Sequence, residues 1–274
     1  MKERNLNLDI IRGIAAYSVV VNHILSHFAG FDGSVLGSIN FSLQNPLFMM
    51  VSGWALIYAK PIAGRVSFKR FIKKRTVLLL LPWIIWSLLK FGLLSSKPFG
   101  EYVGEVVYHM EGAYWFLFSL WIMNLFWAVG SLVSAKWQES QMKFIGGVIT
   151  ISLLLSVALF VTAYATTGIS FLGTKFTVYY MPFFLIGWIM AILYKKTWSE
   201  KTIKIFNVFS CLCLILYALS ISKINVTSLP DSLAPLRMII SVAGCIALFG
   251  AIFSRQFSMN SAVVKCMSWG AKNT

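Results

Sequence analysis

Acidic residues are scarce: Asp and Glu together number 9 in 274 residues, against 24 Lys and Arg. Charged residues make up only 12% of the chain and hydrophobic ones 58%, with a mean hydropathy of +0.76. Water-soluble domains are usually about 45–50% apolar, so this balance excludes one. The chain has only three His, and the acidic stretch around His109 shows no paired metal-ligand spacing. It has four Cys: Cys211, Cys213 and Cys245 lie in apolar segments and Cys266 in the tail, which excludes a disulfide framework and leaves them as filler. There is no Walker-type glycine loop, no Gly-x-Ser-x-Gly elbow, no internal repeat and no low-complexity tract. The first apolar run is interrupted by Arg12 and lacks a small-residue cleavage site, so it is expected to stay attached to the protein.

What the chain has instead is long apolar runs. A hydrocarbon core of about 30 Å needs about 20 apolar residues per helical crossing. Eight segments meet that length, approximately Ile10 to Phe28, Phe41 to Tyr58, Val77 to Leu94, Tyr114 to Val133, Phe144 to Tyr164, Phe176 to Tyr194, Ile205 to Ile221 and Leu236 to Phe253. The expected fold is therefore all-α, a polytopic transmembrane helix bundle of about eight spans, forming one domain over residues 1–274. With the N-terminus in the cytoplasm, 19 Lys and Arg fall on the cytoplasmic side, and only Lys90, Lys97, Lys175, Lys223 and Arg237 fall opposite. That asymmetry predicts a multi-pass protein of the inner or plasma membrane with both termini cytoplasmic. The formal charge of +15 then reflects topology and attraction to anionic membrane lipid, not nucleic-acid binding.

The first span carries the residues hardest to place in lipid. Arg12 and His23 are eleven steps apart, which on a helix is three turns plus about 20°, so both lie on one face about 16 Å apart. Ionisable residues inside spans are costly and by default mark function. A neutral imidazole can act as a general base or a nucleophile, which suits His23 to take a hydroxyl proton. Arg12 keeps its charge and suits an anion, with Asp9 three residues earlier as a partial counter-charge. His27, one turn after His23, reads more simply as a packing residue.

Elsewhere the sequence offers weaker candidates. Lys60 to Arg75 holds Arg65, Lys69, Arg70, Lys73, Lys74 and Arg75 with no acid. Such a run serves either as a stop-transfer and headgroup patch or as a clamp for a polyanionic cofactor. Ser52-Gly53 offers a notch where another helix comes close, and Pro82 predicts a kink in the third span. The loop from Ser95 to Gly112 carries Glu101, Glu105, His109 and Glu111 and reads as solvated, with His109 and Glu111 placed where an extracytoplasmic hydroxyl substrate would arrive. Trp115 belongs to an aromatic girdle that could also stack a sugar.

Together these residues resemble a known family. Arg4, Leu8-Asp9 and Arg12-Gly13, followed by His23 with ten residues between it and Arg12, are similar to the opening signature of the membrane acyltransferases of the acyltransferase family 3 type. Pro46-Leu47-Phe48 with Ser52-Gly53-Trp54 resembles that family's Phe-rich Ser-Gly segment. Phe71-Ile72-Lys73-Lys74-Arg75 leading to Leu81-Pro82-Trp83 resembles its basic loop, and Tyr114-Trp115-Phe116-Leu117 and Phe183-Phe184-Leu185-Ile186-Gly187 resemble later stretches. The resemblance implies transfer of an acyl group, commonly acetyl from acetyl-CoA, to a hydroxyl of a cell-envelope sugar or lipid-linked glycan. By that carry-over His23 is catalytic, Arg12 and Asp9 are its partners, and Arg70, Lys73, Lys74 and Arg75 meet the acyl-CoA phosphates. Trp115, His109 and Glu111 are left for the acceptor.

Two departures stand out. Where the family often has Arg-x-x-Arg, Arg75 is followed three residues later by Leu78, leaving Arg70-x-x-Lys73 as the nearest equivalent. The family tends to have ten spans, and here Ser268 to Thr274 falls about where a ninth would begin, which reads as a truncated or divergent member. A polysaccharide exporter or flippase component without catalytic activity, or an inactive truncated relative, are the alternatives.

Overall fold

The computed structural model describes residues 5–28, 31, 33–108, 110, 115–166, 171–195 and 200–253. Among them there are ten α-helices and no strands, so the protein is a polytopic helical bundle. Seven helical stretches are long and apolar enough to cross a membrane: Leu6–Leu25, Arg65–Leu94, Trp115–Trp137, Gln141–Thr166, Phe171–Tyr194, Thr202–Lys223 and Asp231–Phe253. These correspond to seven of the eight expected spans.

The remaining expected span is present as a helix and is too polar to qualify. This is α2, Val35–Trp54, which is 20 residues long. It starts six residues earlier than the apolar run because Ser34 caps it, its Oγ accepting from the Gly37 N–H at 2.9 Å. Pro46 therefore sits in the middle of the helix and not in its first turns. The polarity of α2 points inward: Ser38, Asn40, Ser42 and Gln44 are all buried. The Ser42 and Tyr217 hydroxyls share a 2.8 Å hydrogen bond, and Ser38 Oγ donates to Asn225 Oδ1 at 2.9 Å. A hydropathy sum penalises these groups because it cannot know that Ser38, Asn40 and Ser42 have partners within the protein.

The chain divides into two compact units, residues 1–55 with 186–274, and residues 56–185. In the first, α1 (Leu6–Leu25) packs on α2, and α2 packs on α9 (Glu200–Lys223) and α10 (Ala234–Phe253). Small residues allow these approaches. A methyl group on Gly250 would overlap the Ser210 side chain, and one on Gly244 would meet the Tyr217 ring at 2.7 Å. Trp54 is buried and stacks with Phe249 at 5.5 Å and Phe253 at 5.0 Å. The residue after the Ser52-Gly53 notch is thus a core anchor.

In the second unit, α3 (Arg65–Arg75) and α4 (Leu81–Leu94) are joined through a π-helical turn, Thr76–Leu80. Pro82 explains the turn, since it has no N–H to donate and its ring crowds the carbonyl four residues back. The Leu81 N–H reaches Thr76 O instead, five residues back. α6 (Trp115–Val133) packs against this stretch and against α7 (Gln141–Thr166), with Gly130 close to the Val148 backbone. The chain returns through α8 (Thr174–Lys195), which follows a left-handed pair, Leu172 and Gly173.

Candidate active site

α1 holds the two polar residues of the opening signature. Asn5 caps it, Oδ1 accepting from the Leu8 N–H at 3.2 Å, and Asp9 sits half-buried in the first turn, where its charge suits the helix dipole. The helix continues without interruption from Leu6 to Leu25, so it carries Arg12 near its start and His23 in its last turn. Leu8, Ile10, Ile11, Ala15 and Ala16 are buried and supply the packing, while Arg12 and His23 are exposed. His27 lies in the turn beyond the helix and is exposed as well, so its side chain is not packed in the core. The arrangement keeps an imidazole and a permanent cation accessible along one rigid element.

Beside His23 lies a feature that the sequence reading missed. Asn40 Nδ2, on α2, donates to Asn22 Oδ1 at 3.2 Å, and Asn40 is 7% exposed. The available signal was four polar residues, Ser38, Asn40, Ser42 and Gln44, at every second position of a membrane-length helix.

In the second unit the basic run folds as α3 and sorts its cations onto two faces. Phe71 packs on Trp127 at 5.4 Å, and the Arg75 guanidinium sits over the Phe71 ring at 5.2 Å. Thr76 Oγ1 accepts from Trp121 Nε1 at 3.1 Å, one turn further along the same contact with α6. Lys69, Arg70, Lys73 and Lys74 are exposed on the other side. Of the four predicted donor-binding cations, three share an open face and Arg75 is turned toward the aromatic contact. Lys69, outside the predicted set, joins the open face.

Trp115 is 8% exposed, stacked against Phe176 at 4.3 Å and Tyr180 at 5.2 Å. Its ring faces are used for packing within the second unit. His109 and Glu111 lie outside the described residues. The rest of that segment is not a plain solvated loop, because Phe99–Tyr108 form a helix, α5. Tyr102 and Val106, one turn apart, are buried on its inner side, and the Tyr102 hydroxyl donates to Ser87 O at 2.7 Å. Lys97, Glu101, Gly104, Glu105 and Tyr108 line an open cleft of about 610 Å³ on the other. Among the described residues no group of three or more His, Cys, Asp or Glu is placed to hold a metal ion.

α5 gives a pH prediction. The hydrogen bond and charge of Glu105, 2.6 Å away, push the Lys97 ammonium above its ordinary range, and burial, helped by Glu105, pushes the Tyr102 phenol up. Both folded values exceed the unfolded ones, so both contributions are intact below about pH 10 and are lost as pH rises through the folded values. The Tyr102 phenolate can no longer donate to Ser87 O. α5 is therefore expected to loosen as pH rises past the ordinary tyrosine range of about 10, read as faster amide exchange over residues 99–108 with the spans still protected. Tyr102→Phe removes both the anchor and its titration, so exchange over residues 99–108 should already be faster at neutral pH and should rise less steeply above about pH 10.

An acyltransferase domain model matches residues 5–274. A nodulation protein of Mesorhizobium japonicum, NolL, is 28% identical over 129 residues, 43% of this chain and 34% of that relative. The chain thus spans about a third of the length of the curated relative it matches. No solved structure matches it.

Proposed function

Because the chain belongs to the acyltransferase family 3, whose domain it matches over residues 5–274, and is a multi-pass membrane protein, we propose that it moves an acetyl group from acetyl-CoA to a hydroxyl of a cell-envelope sugar or lipid-linked glycan. The observation that carries this reading is the pairing of Arg12 and His23, both exposed on one uninterrupted helix. The acceptor oxygen attacks the thioester carbon, His23 takes the hydroxyl proton, and the coenzyme A thiolate leaves and recovers that proton. Alternatively, His23 is acylated first and passes the group on. Arg12 holds an anionic part of the donor.

The charge asymmetry supports an orientation with both termini cytoplasmic in the inner or plasma membrane. Same-side termini require α2 to cross as an eighth span. Its 20 residues rise about 30 Å, and its polar Ser38, Asn40 and Ser42 find partners within the protein. The open face of α3, with Arg70, Lys73 and Lys74, then serves the acyl-CoA phosphates at the cytoplasmic side. Arg75 keeps the helix docked on α6.

The test uses membranes carrying the full chain and [14C]acetyl-CoA, with label followed into envelope glycan. Wild-type membranes should transfer label. The triple variant R70A/K73A/K74A should raise the KM for acetyl-CoA by about tenfold or more, since each charge-assisted contact is worth about 1.5–3 kcal/mol, and leave the maximal rate close to wild type. Glycan export lost on deletion, with no label transferred by wild type, would favour an exporter component instead.

A further inference from the structure

Acyl transfer needs more than a base. As the hydroxyl oxygen bonds to the thioester carbon, the carbonyl electron pair moves onto oxygen, and that oxyanion needs a hydrogen-bond donor in place before the reaction begins. His23 accepts a proton and cannot fill both roles at once. Backbone N–H groups around it are consumed by the helix, which runs through Leu25. Side chains within one turn are aliphatic except for Asn22, Ser26 and His27, and the Ser26 hydroxyl donates back to the His23 carbonyl oxygen at 3.4 Å. His27 stands beyond the helix end.

Asn22 is different. Its Oδ1 accepts from Asn40 Nδ2 at 3.2 Å, so the oxygen end of the amide is turned to α2 and the NH2 end is turned away from it. Asn40 is buried at 7% exposure, whereas Asn22 is half-buried, at the edge between the packed side of α1 and the exposed arc of His23. The interhelix bond thus fixes which end of Asn22 is presented, and among the described residues its two N–H donors have no partner, one residue from the imidazole.

We propose that Asn22 is the oxyanion donor of the transfer, its Nδ2 hydrogen-bonding the thioester carbonyl oxygen while His23 takes the acceptor proton, with Asn40 as the positioning residue that holds the amide in its donating orientation. This rests on the acetyl-transfer reading above. Re-formation of the carbonyl breaks the C–S bond, the oxyanion charge passes to the leaving thiolate, and the proton held by His23 completes coenzyme A.

The experiment compares N22A, N22D, N40A and H23A in membranes carrying the full chain, with [14C]acetyl-CoA as donor, alongside thermal unfolding of each purified protein. Asn22→Ala should cut the maximal rate by about 10²–10³-fold with the KM for acetyl-CoA unchanged. Asn40→Ala loses the same interhelix bond but orphans only the half-buried Asn22, so its thermal loss should not exceed that of Asn22→Ala, and it should lower the rate less than tenfold. Asn22→Asp keeps an oxygen for Asn40 to donate to, so it should unfold like wild type and transfer as poorly as Asn22→Ala. Equal rates for N22A and N40A, or wild-type rates for N22D, would overturn the assignment. If H23A is inactive while N22A transfers normally, only the oxyanion role falls; if H23A transfers normally, the acetyl-transfer reading falls and takes this one with it.

Discussion

His23→Ala is expected to lower acetyl transfer by at least about 10²–10⁴-fold, the range for removing a positioned general base, while the protein accumulates and unfolds like wild type. The two halves of that expectation have separate grounds. Chemically, nothing else on α1 replaces the imidazole, since His27 stands beyond the helix end. Structurally, His23 is exposed and contributes no core packing, unlike Leu8, Ile11 or Ala15. Exposed substitutions away from such packing usually change stability by about 0.5 kcal/mol or less. Label transfer into glycan reads the first half and thermal unfolding the second, with His27→Ala as the control that should keep its activity. Normal transfer by His23→Ala would remove the histidine from the mechanism. A large loss of stability would instead show that it is a packing residue.

The parts of this protein that were legible in its sequence are those where one property decides. Seven spans follow from length and apolarity alone, and the ends of α7 and α10 fall within three residues of the apolar runs. The shared face of Arg12 and His23 follows from helical pitch. What escaped depends on partners far away in the chain. Apolarity places α2 as the span from Phe41, but its start at Val35 and the inward turn of its polar residues rest on Ser42 meeting Tyr217 and Ser38 meeting Asn225, contacts across more than 170 residues. Arg75 is indistinguishable from Lys73 and Lys74 in the sequence, and only the docking of Phe71 on Trp127 turns it aside. Trp115 looks the same as a platform or as a core ring until Phe176 and Tyr180 cover it. α5 could have been found: Phe99, Tyr102, Val103 and Val106 have helical spacing, and the acids between them drew the reading toward a loop.

The largest structural effect is expected from a single methyl group at the end of the Phe183-Phe184-Leu185-Ile186-Gly187 stretch. Gly187 lies in α8, and a Cβ built there would overlap the Met50 carbonyl oxygen and lie 2.7 Å from the Met50 Cα. The obstacle is backbone inside α2, so no rotamer change relieves it, and α2 cannot shift without disturbing Met49, Met50 and Val51, all buried beside it. Overpacking a core usually costs about 1–3 kcal/mol when side chains can give way; here Gly187→Ala should exceed that range. Gly250→Ala, which meets the Ser210 side chain and not a backbone, should cost less, and pairing it with Ser210→Gly should recover most of the loss. No single side-chain substitution can rescue Gly187→Ala in that way, because the atoms in its path are common to every residue at position 50. Expression level and unfolding temperature of the three variants would rank them, and a Gly187→Ala protein as stable as wild type would show that α8 and α2 do not approach this closely.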